Sequence, residues 1–280
     1  MDRTYQVAQS GECVYAARHS GLWRIDADGS QRNLFANWAA ADGIPALCIA
    51  TQADTLLAGV HGGVARSFDS GESWEMIPFR LPAPLATCLC LGADGWLAGT
   101  FADGSFLSTD GGASWAAHNH GLFDHSVNCF ALSPGAADVT VYAGTSTGIY
   151  CSYNGGRLWH DLELGSGRET VLSLAVAADG ALYAGCESGG FLRIKDGRVE
   201  PIHINNEAGA GAVNGLALLA DGLAAQVDDR VMLKQTGGAG WRTVADGVEC
   251  LALADDALLL GKAGGQIEIV PASDLRQFNR

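Results

Sequence analysis

One phrase recurs seven times along this chain. Two or more apolar residues lead into Ala-Gly or a variant, then a short polar stretch, then a second strand-like run. It reads VYAARHSGLWRID, LLAGVHGGVARSF, WLAGTFADGSFLS, VYAGTSTGIYCS, LYAGCESGGFLRI, LAAQVDDRVMLKQ and LLLGKAGGQIEI. The register residue falls at Ala17, Gly59, Gly99, Gly144, Gly185, Gln226 and Gly261, so the period stays near forty. A period of that size is the length of one four-stranded unit in a radial repeat. Such a unit cannot bury its own core, so the seven must pack against one another.

Within a repeat, four short strand patterns alternate with turn residues. The second repeat shows them at 46–51, 55–60, 64–68 and 74–79, separated by Gln-Ala-Asp, His-Gly-Gly and Asp-Ser-Gly-Glu. No segment keeps a helical 3.6 period. The 38 glycines are spread along the whole chain, as a turn-rich all-β fold requires. The pattern predicts one domain over 1–280, an all-β seven-bladed β-propeller with four-stranded antiparallel blades. Blade limits fall near 1–37, 38–80, 81–119, 120–164, 165–205, 206–245 and 246–280. The pattern leaves open whether a terminal strand crosses over to complete the other terminus's blade.

Composition narrows the function. A net charge of −14 argues against binding a phosphate backbone or an anionic membrane surface. The start, MDRTYQVAQSGE, has no apolar targeting core, and the apolar runs are too short to span a bilayer. Eight cysteines occur without a C-x-x-C pair, mostly inside apolar runs, as with Cys48, Cys88, Cys90, Cys129 and Cys250. Cysteine used as a small hydrophobe fits a reducing cytoplasm. Aligned inner-strand positions read Cys48, Cys88, Cys129, Ser173, Gly215 and Cys250. Small residues there suit blades that taper toward an axis, while a thiol ring for a soft metal is the alternative. The expectation is a monomer with no metal and no cofactor.

Three repeats carry S-x-[D/N]-x-G-x-x-W between the third and fourth strand patterns. They are Ser67, Asp69, Gly71 and Trp74; Ser108, Asp110, Gly112 and Trp115; and Ser152, Asn154, Gly156 and Trp159. Lys234, Thr236, Gly238 and Trp241 hold the same places in an eroded copy. The motif resembles the Asp-box, or BNR repeat, of sialidases, sortilin-type receptors, some xyloglucanases and photosystem II assembly factor-like propellers. Its side chains suit a turn: the Asx oxygen accepts backbone N–H groups, the Gly takes positive φ, and the Trp anchors the turn. Sialidases use three arginines and a Tyr/Glu pair. Only Arg80 and Arg168 lie at comparable loop positions, so no sialidase activity is expected.

In a propeller, the turns joining second to third strands share one face with the blade-to-blade loops. Two residues past each register mark stand His19, His61, Phe101, Ser146, Glu187, Asp228 and Ala263. The blade-to-blade loops add Trp38, Asp42, Arg80, His118, His120, His125, Arg168, Glu169, Asn205, Asn206 and Glu207. Clustered histidines can be plain exposed polar groups, metal ligands, or acid–base groups. No nucleophile elbow, P-loop or zinc-protease motif is present. Two functions from different classes follow. One is a binding or assembly scaffold whose mouth face engages a protein, a peptide or a small molecule. The other is a small-molecule lyase, isomerase or hydrolase using His61, His19 and His120 with Glu187 or Asp228.

Overall fold

The structure, a computed structural model, describes residues 2–36, 38–41, 43–81, 84–133, 139–164, 169–204, 211–238, 240–255 and 257–277. They form a seven-bladed β-propeller. Seven antiparallel sheets follow one another along the chain, and strand order within each is sequential. The first strands are Thr4–Ser10, Cys48–Gln52, Ala86–Gly92, Val127–Leu132, Val171–Val176, Val213–Leu219 and Val248–Ala254. Each touches the first strands of both neighbouring blades, the first and last included, so they line a closed ring. Six blades have four strands. The seventh has three described strands, Val248–Ala254, Ala257–Lys262 and Gln266–Pro271, and a short helix, Ala272–Gln277, follows.

No strand crosses between the first and last blades among the described residues. Thr4–Ser10 pairs within its own blade. Side chains close the ring instead. Val7, Val14, Ala16 and Ile25 of blade 1 pack with Cys250, Ala254 and Leu259 of blade 7. The Thr4 amide donates to Glu249 Oε2 at 2.7 Å. Arg18 is almost fully buried and donates to the Gly265 carbonyl at 2.5 Å and to Gln31 Oε1 at 3.0 Å. Its guanidinium lies 5.1 Å from the Trp23 ring, a cation–π contact that helps offset desolvation.

The recurring Ala-Gly has a steric cause. Five of the seven register residues pair across the ladder with a small inner-strand residue: Cys48 with Gly59, Cys88 with Gly99, Cys129 with Gly144, Ser173 with Gly185, Cys250 with Gly261, whereas Ala17 of blade 1 faces Gln6. In every one of these pairs the thiol or hydroxyl sits where a glycine Cβ would be. The next blade presses on the same spot through Val127, Val171, Val213 and Thr4. Blade 6 inverts the arrangement: Gln226 replaces the glycine and Gly215 faces it. In these six blades one of the two positions is always glycine, so the pair shares a limited volume. Gly144→Gln should destabilise the protein by ~3 kcal/mol, as overpacking of a tight core does. Adding Cys129→Gly should recover ~1–2 kcal/mol of that in denaturant titrations, since contacting sites couple.

Candidate functional site

Antiparallel pairing sorts the loops onto two faces. First strands begin where second strands end, as Thr4 opposite Arg18 and Val127 opposite Thr145 show. The blade-to-blade segments and the second-to-third turns therefore meet on one face, called here the mouth. The S-x-[D/N]-x-G-x-x-W turns lie at the other end of the strands. Main-chain bonds fix the rim of the mouth. The residue two past the register mark donates its N–H to the segment entering the same blade: His19 to Arg3, Phe101 to Leu85, Ser146 to Ser126, Glu187 to Thr170, Asp228 to Ala212. All seven aligned rim residues are exposed.

Along the axis runs a channel of about 720 Å³. Every blade contributes to its lining through a feature that the repeat spacing alone does not single out. In six blades the ladder between first and second strands slips by one residue, a β-bulge. The extra residues are Tyr5, Thr87, Asn128, Leu172, Asn214 and Glu249, and Leu47 holds the equivalent place in blade 2. All seven border the channel. The sequence did carry a signal: a lone polar residue at the second position of an otherwise apolar strand, as in VNCFAL and VECLALA. The bulge also frees a carbonyl from the ladder, and the preceding blade satisfies it. Cys48 and Ser173 donate to the Ala86 and Val213 carbonyls. Thr87 and Asn128 donate to the Val127 and Val171 carbonyls at 2.6 and 3.0 Å. Gln226 donates to the Val248 carbonyl at 3.2 Å.

The channel wall is asymmetric in charge. Asp228, Asp229 and Glu249 line the part built by blades 6 and 7, joined by Arg3, while blades 2 to 5 contribute Leu47, Thr87, Asn128 and Leu172. Beside the neutral side lies an apolar arc of exposed side chains on the mouth. Phe123 is 83% exposed and Phe101 63%, with Leu81 and Leu85 also open. Backbone bonds tie these segments together, Phe101 N to Leu85 O and Gly104 N to His125 O.

The residues expected at the mouth meet different fates. Of the rim residues, Asp228 borders the channel, and its carboxylate accepts the Ala212 amide at 3.0 Å. His19 Nδ1 lies 3.3 Å from the Tyr5 hydroxyl. His61, His120 and His125 are exposed, and His118 is half-buried. The His118 and His120 carbonyls hold Trp159 through its Nε1 and backbone N–H. Among the described residues no histidine forms an ion pair with a carboxylate. Trp38 is not a mouth aromatic. It stacks on Trp74 at 6.1 Å and tilts against Phe35 at 5.5 Å, because its ring packs half-buried against the cluster between blades 1 and 2. Arg80 is exposed with φ of 57°. Arg168, Asp42, Asn205, Asn206 and Glu207 lie outside the described residues.

The inner cysteines are packing groups in this geometry. All eight are free thiols, and no His/Cys/Asp/Glu cluster of metal-binding shape occurs among the described residues. Burial pushes Cys48, Cys129 and Cys250 up to about 12. The thiolate is the reactive form. A maleimide at pH 8 should therefore leave these three unmodified in native protein and label them after unfolding, read by peptide mass spectrometry.

The three S-x-[D/N]-x-G-x-x-W turns share one hydrogen-bond set. Ser67, Ser108 and Ser152 accept from the Gly71, Gly112 and Gly156 amides at 2.8–2.9 Å. Asp69 and Asp110 accept the Ser73 and Ser114 amides at 2.9 Å, and Asn154 accepts the Leu158 amide at the same distance. The glycines have φ between 78° and 92°, which favours a residue without Cβ. Hydroxyls of Ser73 and Ser114 head the donors that hold Asp69 and Asp110 down at about 2. A carboxyl depressed in the folded state stabilises it above the unfolded pKa, near 4, and that contribution disappears as pH falls toward 2. Asn154 shows that an amide keeps the acceptor without the charge. Asp69→Asn with Asp110→Asn should fold normally, and its melting temperature should fall less than wild type between pH 4 and pH 2.

No family model matches the sequence, and no curated protein matches it. Solved structures do. The chain is similar to the extracellular domain of a putative one-component system of B. thetaiotaomicron, with TM-score 0.76 and 15% identity over 96% of this chain and 38% of that one. It is similar to the GH74 xyloglucanase of Xanthomonas campestris, with TM-score 0.74 and 18% identity over 98% and 54%. It is also similar to YCF48 bound to D1 peptide, with TM-score 0.71 and 16% identity over 96% and 92%. At these identities the likeness is one of fold. The chain spans well under two thirds of the first two proteins' length.

Proposed function

We propose that this propeller is a binding or assembly module whose mouth face engages a polypeptide partner. The exposed arc of Leu81, Leu85, Phe101 and Phe123 carries the reading. A phenylalanine 83% open to water serves no packing role in its own chain. Covering such a ring contributes ~1.5–3 kcal/mol. Aromatic anchors beside a wide, polar opening suit a partner surface better than a closed reaction pocket. The acidic side of the channel, with Asp228, Asp229 and Glu249, favours a partner that carries basic residues next to its apolar ones. That a propeller of similar fold and size was solved with a peptide supports the same use here. No observation at the histidines favours the lyase, isomerase or hydrolase alternative.

In this reading the three recurring turns are Asp-boxes of the BNR type, serving as scaffold on the face away from the partner. Eight free thiols support residence in a reducing compartment such as the cytoplasm, which fractionation of the native host would check. The central test is capture from a native-host lysate. Wild-type protein should enrich at least one protein at least ~10-fold over a Phe101→Ser, Phe123→Ser variant, the size of effect that loss of two anchors produces. Equal melting temperatures would show that the variant is folded. Identical captured sets would sink the proposal.

A further inference from the structure

The seventh blade stops one strand short among the described residues, and the edge it leaves is unlike the other six. The outer strands of those blades are blunted in the ways that protect a sheet edge. Ala116–Ala117 and His160–Asp161 have two residues each, and Gln31–Asn33 has three. Glu75–Pro78 has four residues, Arg198–Ile202 carries Pro201 inside the strand, and Arg242–Asp246 ends on charges. Blade 7 instead exposes Gln266–Pro271, a six-residue strand paired to Ala257–Lys262 without a register shift. It carries Ile267, Ile269 and Val270, and Ile269 is 54% exposed.

The chain itself leaves this edge. After Pro271 it turns into the helix Ala272–Gln277. Leu275 of that helix is buried against Ala217, Leu233 and Leu258. The Leu275 carbonyl accepts from Arg242 at 2.8 Å and from Gln235 at 3.2 Å. The helix is pinned to blades 6 and 7 and does not occupy the fourth-strand place.

We propose that the edge of Gln266–Pro271 accepts an extended strand from a partner polypeptide, which completes the seventh blade by β-augmentation. The chemistry of the edge commits the partner to a pattern. Residues opposite Ile267 and Ile269 are β-branched, and the residue opposite Glu268 is cationic. Glu268 already pairs with Lys262 at 2.5 Å, so its carboxylate is held in place to receive a second cation. A second copy of this chain is disfavoured as occupant, because each copy carries −14. This surface is separate from the mouth.

The test uses full-length protein and the fluorescein-labelled peptide Thr-Lys-Val-Lys-Val-Lys-Thr, followed by anisotropy at physiological salt. Saturable binding is expected. Hydrogen exchange should slow in 266–271 and remain unchanged at the mouth. The same peptide N-methylated at alternate residues should bind at least ~10-fold more weakly, because ladder bonds are lost while charge is kept. Ile269→Pro should abolish binding, and the N-methyl arm on wild type keeps the test valid if that variant fails to fold. The Phe101→Ser, Phe123→Ser variant should bind like wild type, which separates failure here from failure at the mouth. Three peptide results would each overturn the proposal: no binding, equal binding of the N-methylated peptide, or protection elsewhere. A concentration-dependent dimer that Ile269→Lys dissociates would overturn it in favour of self-association.

Discussion

Everything in this molecule depends on how closely neighbouring blades approach near the axis. At that radius one volume serves three groups: a register residue, its cross-strand partner and a β-branched side chain of the next blade. Glycine at Gly59, Gly99, Gly144, Gly185 and Gly261 leaves room for a thiol or hydroxyl on one side and for the neighbouring blade on the other. Blade 6 shows that the glycine can stand on either strand, since Gln226 is accommodated where Gly215 faces it, and blade 1 departs from the rule with Ala17 opposite Gln6. Interiors packed to crystal-like density behave this way.

The same close approach creates the channel lining. Adding one residue per blade to the inner strand turns six side chains inward and frees carbonyls that the preceding blade caps with Cys48, Thr87, Asn128, Ser173 or Gln226. Satisfying those carbonyls removes the penalty of a buried unpaired acceptor. Once the frame is secured in this way, the identity of each bulged residue is free to vary. Tyr5, Thr87, Asn128, Leu172, Asn214 and Glu249 share one bulge geometry and little chemistry, and Leu47 borders the channel at the equivalent place in blade 2. Asymmetry in charge along the channel and in apolar exposure on the mouth arises from that freedom.

Closure of the ring is the other place where symmetry fails. Among the described residues blade 1 and blade 7 exchange no strand, and Arg18, the Thr4–Glu249 bond and an apolar cluster hold the ends together. No described strand pairs with the outer side of the third strand of blade 7, which remains an outer edge. The C-terminal helix docks beneath blades 6 and 7 through Leu275 instead of extending the sheet.

The sequence by itself determined the number of blades, their order and the three S-x-[D/N]-x-G-x-x-W turns. These follow from local patterns that repeat: strand alternation, turn residues and a glycine at a fixed spacing. It also determined that His19, His61, Phe101, Glu187 and Asp228 share one face, since the period alone places them. Only the tertiary structure decided which side chains meet the channel. A one-residue bulge moves a side chain from one face of a strand to the other, and the lone polar residue that marks it in VNCFAL and VECLALA is absent where Leu172 or Leu47 holds the place, so the slip is decided by pairing. Trp38 likewise looked like an open loop aromatic until its contacts with Phe35 and Trp74 placed it, half-buried, against the core between blades 1 and 2. The recurring phrase fixed a symmetric frame through volume, while the places where function can reside depend on contacts between residues about forty apart.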